Sequence, residues 1–299
     1  MELNTLLQYK PYSTARTEKR ALYAGLLTGL TQFHRERCPE YGRLLDALGC
    51  PAHMDCMVES TPMLPVSLFK ELELRSIPEG EVFKTITSSG TTGQRVSRIF
   101  LDGATSACQQ QALCQIMSDF LGERRLPFLV LDSRQVLRNR AMFSARGAGI
   151  LGFSIFGTRP CYALDEHMEL DLDGVRAFLE EHQGETIFLF GFTFMIWKHV
   201  VRALEERGER LDIPNGILVH GGGWKKLAGE AVSPGEFKAR VAAATGVERV
   251  SNYYGMAEQT GCIYMECPQG HLHASLWSDI VVRLSLIHIS EPTRPEPIS

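Results

Sequence analysis

The chain has 299 residues, 44% hydrophobic and 22% charged, with a formal net charge of −4 and a pI near 6.2. This is the composition of a globular protein large enough for one big domain or two smaller ones. With no basic excess and no clustering of Lys and Arg, it lacks the electrostatic footprint of a nucleic-acid binder.

The N-terminal stretch MELNTLLQYKPYSTARTEKR has no long apolar core or small-residue cleavage site, so it does not read as a signal peptide. No apolar run approaches the roughly 20 residues that a membrane-spanning helix needs. Eight cysteines are scattered along the chain without the density of a disulfide scaffold, which fits a reducing compartment and a cytoplasmic location.

In chain order, Ser13 or Thr14 is expected to cap a first helix, with Glu18 in its first turn and Leu22, Leu26, Leu30 and Phe33 recurring at helical spacing. The Pro-rich STPMLPVSLFKEL then interrupts the pattern. Two strands follow, Val82 to Thr87 and VSRIFL, and after them a helix from Ala104 to Leu121 and a short buried strand FLVLD. The alternation continues with a helix near Asp173 to His182, strand TIFLFG, helix Phe194 to Glu206, strand GILVHGGG, helix Pro234 to Thr245 and strand VERVSNYYG. Short apolar strands separated by helices predict an α/β fold whose mainly parallel sheet is covered by helices. Ligands of such sheets bind where strands end and loops begin.

The text changes character beyond Arg283. LSLIHISEPTRPEPIS is Pro-rich and continues no hydrophobic period. It resembles translated sequencing-adaptor read-through, with a natural Pro-rich tail as the alternative. Leu284 to Ser299 is therefore left out of the fold reading, and the native protein is expected to run on past this point.

Four segments stand out chemically. In TSSGTTGQ, Thr87 to Gln94, Gly90 and Gly93 permit close backbone approach, and the hydroxyls of Ser88, Ser89, Thr91 and Thr92 add donors suited to phosphate oxygens. No Gly-Lys-Ser/Thr closes the loop, so it is not a Walker A motif. A flexible linker is the plain alternative, but a linker fits poorly between two nearby apolar strands.

NYYGMAEQTG ends a strand and places Glu258 just beyond it, where by itself it reads as a favourable first-turn residue of a strand-turn-helix junction. In LVHGGGWKKL three glycines follow an apolar strand. His-Gly-Gly-Gly is also an oxyanion-hole signature of some esterases, yet the Gly-x-Ser-x-Gly elbow that reading requires is absent from the downstream sequence. FLFGFTFMIW, with Gly191, Phe192, Phe194 and Met195, reads equally as an apolar pocket wall or as core. In CIYMECPQGHLH, Cys262, Cys267, His271 and His273 are the right ligand types for zinc at imperfect spacing, and a hairpin with incidental Cys and His is the alternative.

TSSGTTG resembles the phosphate-binding loop of the acyl-adenylate-forming superfamily, although Arg95-Val96 stands where many members have Pro-Lys. NYYGMAEQTG resembles that superfamily's Tyr-Gly-x-x-Glu segment. Taken with GGGWK and CIYMECPQGHLHASLWSDI, the order of motifs over Glu71 to Arg283 is similar to the acyl-protein synthetase (LuxE-type) family.

That resemblance implies ATP and Mg²⁺ as cofactors, with Ser88, Ser89, Gly90, Thr91, Thr92 and Gly93 on the ATP phosphates. It implies Gly222, Gly223, Tyr254 and Gly255 on adenosine, and Gly191, Phe192 and Phe194 in the acyl pocket. Thr91 and Glu258 take the catalytic roles, Glu258 as the Mg²⁺ ligand. The implied reaction activates a fatty or related acid as its acyl-AMP and passes the acyl group to a protein thiol, feeding a partner fatty-acid reductase. A phenylacetate-type acyl-CoA ligase or a catalytically incomplete ATP-binding remnant are the alternatives. The implied organisation is a helical segment over 1–80 packed on an adenylate-forming domain over 81–283, followed by the tail. The catalytic Lys, ribose-binding Asp and acceptor Cys of such enzymes lie beyond the readable sequence.

Overall fold

A computed structural model describes residues 6–88, 95–137, 145–259 and 261–282. The chain divides into two compact units, one formed by Met1–Ile116, Gly255–Ile263 and Ala274–Ser299, the other by Met117–Tyr254 and Tyr264–His273.

The second unit carries the large sheet. Its strands are β3 Leu126–Ser133, β4 Gly157–Leu164, β5 Ile187–Phe192, β6 Gly216–Gly221, β7 Arg249–Tyr254, β8 Tyr264–Glu266 and β9 Leu272–His273. They stand in the order β4-β3-β5-β6-β7-β8-β9. The first five are mutually parallel, and β8 and β9 add on as an antiparallel hairpin. The mainly parallel α/β sheet expected from the alternation is thus present. β5 and β6 are buried at every position, as strands covered on both faces must be.

Alternation along β5 and β6 separates the two faces. On one face, Phe128 stacks on Phe188 with centroids 4.8 Å apart, and Phe153 of the helix Ala145–Phe153 lies 4.3 Å from Phe190 and 5.0 Å from Tyr253. On the other, Phe237 of the helix Pro234–Thr245 packs against His220 and Trp197. Trp197 opens a π turn, Trp197–Val201, between the helical turns Thr193–Ile196 and Arg202–Arg207. The single helix expected over Phe194 to Glu206 therefore contains a π segment, a feature that often occurs at functional sites.

In the first unit, β1 Lys84–Thr87 and β2 Arg98–Leu101 form an antiparallel pair, with Thr87 opposite Arg98. The N-terminal helix is Arg16–Arg37. Its expected cap is corrected: Ala15 occupies that position without a side-chain cap, and the Ser13 hydroxyl donates to the Lys10 carbonyl at 3.0 Å.

The buried positions of this helix are Lys19, Tyr23 and Thr31, whereas the leucine stripe is half-buried. The polar tips of Lys19 and Tyr23 explain why they are inside. Lys19 Nζ donates to the carbonyls of Ser275, at 2.9 Å, and Ser278. The Tyr23 hydroxyl donates to that of Leu276 at 2.6 Å. The Leu276 N–H reaches the Pro11 carbonyl, and Trp277 Nε1 donates to the Leu6 carbonyl at 3.0 Å. The strap 275–278 is thus held through its own backbone polar groups by chain more than 250 residues away, as buried backbone requires.

Candidate functional site

The sheet order fixes where a ligand belongs. From β3 the chain goes to β4 on one side, while β5, β6 and β7 build outward on the other, so the strands reverse direction of growth beside β3. The carboxyl ends of β3, β5, β6 and β7 form the candidate ligand edge.

At β6 and β7, Gly221 pairs with Tyr253. Gly222 and Tyr254 therefore leave adjacent parallel strands one residue later, side by side. Both are exposed, and the Tyr254 ring lies 6.1 Å from Tyr264, which supports one side of it. Gly222 has φ +75, and a Cβ there would stand 2.9 Å from Phe192 Cδ1. Both the backbone region and the ring contact call for glycine. Gly223 is exposed beside it.

Phe192, only 6% exposed, is wedged between that turn and the helix Ala145–Phe153, where a Cβ on Gly149 would meet its ring at 3.1 Å. Gly191 is buried and Phe194 half-buried. Gly191, Phe192, Gly222 and Tyr254 thus share one sheet edge.

Sequence reasoning missed two polar constellations at the same edge. Asp132, at the end of β3, is fully buried and paired with Arg146, whose Nε and Nη2 each stand 3.0 Å from the carboxylate. Arg146 Nη1 reaches Met195 Sδ at 3.4 Å. Burial raises the Asp132 carboxyl above the usual carboxylate range, and Arg146 pulls it back. An Asp closing a buried apolar strand, FLVLD, was the signal available.

The second constellation is His220, 5% exposed, with Thr193, 7% exposed. His220 Nδ1 lies 2.9 Å from Thr193 Oγ1, which also donates to the Gly221 carbonyl at 3.2 Å. Burial, with Lys238 nearby, holds His220 down at about 3, so its ring is neutral. Burial also pushes the Tyr253 hydroxyl up to about 12.

In the first unit, Ser88 closes the mouth of the β1–β2 hairpin. Its N–H donates to the Ser97 carbonyl at 3.2 Å, and its hydroxyl accepts the Ser97 N–H at 2.9 Å. Ser89, Gly90, Thr91, Thr92 and Gly93 lie outside the described residues. Gly255 is exposed. Glu258 sits half-buried in a turn, with no hydrogen bond or ion pair to another described residue.

The zinc expectation needs correction. Among the described residues, no group of three or more His, Cys, Asp or Glu is placed to hold a metal ion. Cys262 is buried, with its thiol on the Trp277 carbonyl at 3.4 Å, and burial pushes that thiol up to about 11. The Cys267 N–H closes the β8–β9 turn on the His271 carbonyl at 2.9 Å, with His271 and His273 exposed. The segment is the hairpin alternative. No described helix is long and apolar enough to cross a membrane.

The architecture matches solved structures of adenylate-forming ligases. 2-Hydroxyisobutyryl-CoA ligase in complex with 2-HIB-AMP and CoA, in the thioesterification state, superposes with a TM-score of 0.61 at 19% identity, over 90% of this chain and 56% of that one. The same ligase in the postadenylation state with R3-HIB-AMP gives 0.55 at 17% identity, over 92% and 57%. The fold is therefore that of an adenylate-forming ligase.

The family model for acyl-protein synthetase, LuxE, matches residues 2–293, and the chain belongs to that family. Among curated relatives, the long-chain-fatty-acid–luciferin-component ligase of Vibrio harveyi is 22% identical over 233 residues, covering 76% of this chain and 59% of the relative. The chain thus spans under two thirds of the length of that relative.

Proposed function

We propose that the protein activates a long-chain or related carboxylic acid with ATP, forming the acyl adenylate and pyrophosphate, and then passes the acyl group to a protein thiol with release of AMP. The observation that carries this reading is the side-by-side emergence of Gly222 and Tyr254 from paired parallel strands, in a chain of the acyl-protein synthetase family. An open backbone edge and an exposed ring one strand apart suit a flat base such as adenine.

In this reading Gly222, Gly223, Tyr254 and Gly255 meet adenosine, and Ser88, Ser89, Gly90, Thr91, Thr92 and Gly93 hold the ATP phosphates. Ser88 contributes through the hairpin it closes. Gly191, Phe192 and Phe194 line the acyl site. Thr91 orients the transferred α-phosphate, and Glu258 supplies the oxygen ligand for Mg²⁺, as a hard carboxylate suits. When bound, Mg²⁺ offsets the negative charge that develops on the phosphates.

The thiol that takes the acyl group needs thiolate character. Burial raises Cys114, and pushes Cys161 and Cys262 up to about 11, which makes these three thiols poor nucleophiles. A partner reductase that consumes the thioester, and a cytoplasmic setting, complete the proposal.

The test is acid-dependent exchange of labelled pyrophosphate into ATP, followed by trapping of the product. Exchange that is lost in Glu258→Ala at unchanged melting temperature, with the acyl label ending on protein, supports the proposal. Label released as acyl-CoA supports a CoA ligase instead, and no exchange by a full-length version of the protein refutes adenylation.

A further inference from the structure

Arg146 stands one helical turn before Gly149 in the helix Ala145–Phe153, so the two share a helix face. Gly149 shows where that face lies, since a Cβ there would stand 3.1 Å from the Phe192 ring. The helix follows β3 and precedes β4, its parallel neighbour. It therefore runs against the strands and has its first turn at the carboxyl edge of the sheet. Arg146 thus lies outward of Phe192, at the mouth of the proposed acyl site.

The register of β3 with β5 pairs Val130 with Phe190, and two residues further on it sets Asp132 level with Phe192. The Asp132 side chain is wholly buried, whereas that of Arg146 keeps 24% of its surface. Of the two charges, only the cation's side chain reaches the surface. A cation in the first turn of a helix opposes the helix dipole, and the buried carboxylate explains why it is held there. The guanidinium is nevertheless largely unspent among the described residues. Of its five N–H donors, Nη2 serves Asp132 Oδ1 at 3.0 Å, and Nη1 meets the thioether of Met195 at 3.4 Å, a weak acceptor. Nε stands 3.0 Å from Oδ2 but off line, so that both atoms are buried without a hydrogen-bond partner. A half-satisfied pair calls for an explanation, and an anion arriving at Arg146 supplies one.

We propose that Arg146 receives the carboxylate of the acid substrate. This rests on the adenylation reading above and assigns the anchor of the reacting group, which that reading leaves open. Neighbouring strands stand about 4.8 Å apart. With β6 two strands from β3, the Gly222 turn is roughly 10 Å from the end of β3, a gap that a ribose and one phosphate fill between adenine and an acyl carbonyl. With one carboxylate oxygen on Arg146, the other attacks the α-phosphorus of ATP. The acyl O–P bond forms as the bond to pyrophosphate breaks, and that electron pair leaves with pyrophosphate. A planar guanidinium suits this planar group better than an ammonium does.

The experiment compares, by calorimetry, a fatty acid with the fatty alcohol of equal chain length, both below the concentration at which they aggregate. The proteins are wild type, Arg146→Met, Arg146→Lys and the double variant Asp132→Asn with Arg146→Met. Wild type should prefer the acid by about tenfold or more, the worth of one charge-assisted hydrogen bond. Arg146→Met should bring the two ligands within about threefold of each other by weakening the acid alone, and Arg146→Lys should fall between. The double variant removes both charges, which spares the fold a lone buried carboxylate, and it should behave as Arg146→Met does.

A wild-type protein that binds acid and alcohol alike overturns the inference. So does a folded double variant that keeps the acid preference, or a loss shared equally by acid and alcohol that follows a lower melting temperature, the mark of a purely structural pair. Pyrophosphate exchange separates this role from its parent. A full-length version without acid-dependent exchange refutes adenylation, whereas exchange whose acid KM is unmoved by Arg146→Met refutes this role alone.

Discussion

Acid should destabilise this protein through His220, and the effect is separable by a single substitution. An unfolded histidine titrates near 6.5, whereas in the fold burial holds His220 down at about 3. Between those values the unfolded chain binds a proton that the folded chain refuses, so stability rises with pH across the window and is lost as pH falls below about 6.5. The slope is about 1.4 kcal/mol per pH unit for one such group, or roughly 2 kcal/mol by pH 5.

The environment explains the refusal. Phe237 covers the ring, Lys238 is the charged neighbour, and Thr193, 2.9 Å from Nδ1, is uncharged. His34 and His199 are also lowered by burial, but they contribute equally with and without His220. Urea unfolding followed by tryptophan fluorescence from pH 7.5 to 4.5 should therefore show wild type losing stability more steeply than His220→Asn. The gap should widen by about 1 kcal/mol or more per unit once pH falls below 6. Parallel stability curves for the two proteins would refute the buried neutral imidazole.

Three further outcomes are expected. Glu266, 5% exposed, accepts from the Asn252 N–H at 2.8 Å and pairs with Lys238 at 2.9 Å. Glu266→Gln should cost about 1–3 kcal/mol in denaturant unfolding, toward the low end because Lys238 can turn to solvent. Asp132→Ala leaves Arg146 without its carboxylate partner and should cost about 3 kcal/mol by the same measurement, whereas a cost below 1 kcal/mol would mean the pair is not formed. Tyr23→Phe removes the hydroxyl held by the Leu276 carbonyl and should cost about 1 kcal/mol, with faster amide exchange appearing first along 275–279.

The helix Pro234–Thr245 was readable to the residue because every boundary signal is local. Ser233 accepts the Glu236 N–H, Pro234 opens the first turn, and Gly246 takes φ +74 at the end. The parallel strands were readable from their apolar runs. β4 was not, because its sequence GTRPCYAL carries a proline and a positive φ at Arg159; an edge strand tolerates both. The helix Ala145–Phe153 contains three glycines, which lower its propensity, and it forms where Gly149 lets it sit against Phe192.

The Gly222–Tyr254 edge was visible as two separate motifs, since each follows a strand directly. Thr193 and His220, 27 residues apart, meet only because β5 and β6 pair in parallel. Nothing in either segment alone announces the other. The leucine stripe of the first helix pointed to a helix correctly. Its buried face, however, is set by the distant carbonyls that Lys19 and Tyr23 serve, which no periodicity records.

Recognition of an acyl adenylate can be read out with a stable mimic of that intermediate. An N-acyl sulfamate of adenosine with a long acyl chain presents both halves of the proposed intermediate without a bond that can be transferred. Calorimetry on the wild-type protein should show it binding at least about 100-fold more tightly than adenosine monophosphate or the free acid. That advantage should fall sharply in Tyr254→Ala. An affinity no better than that of adenosine monophosphate, or one unchanged by Tyr254→Ala, would contradict the account.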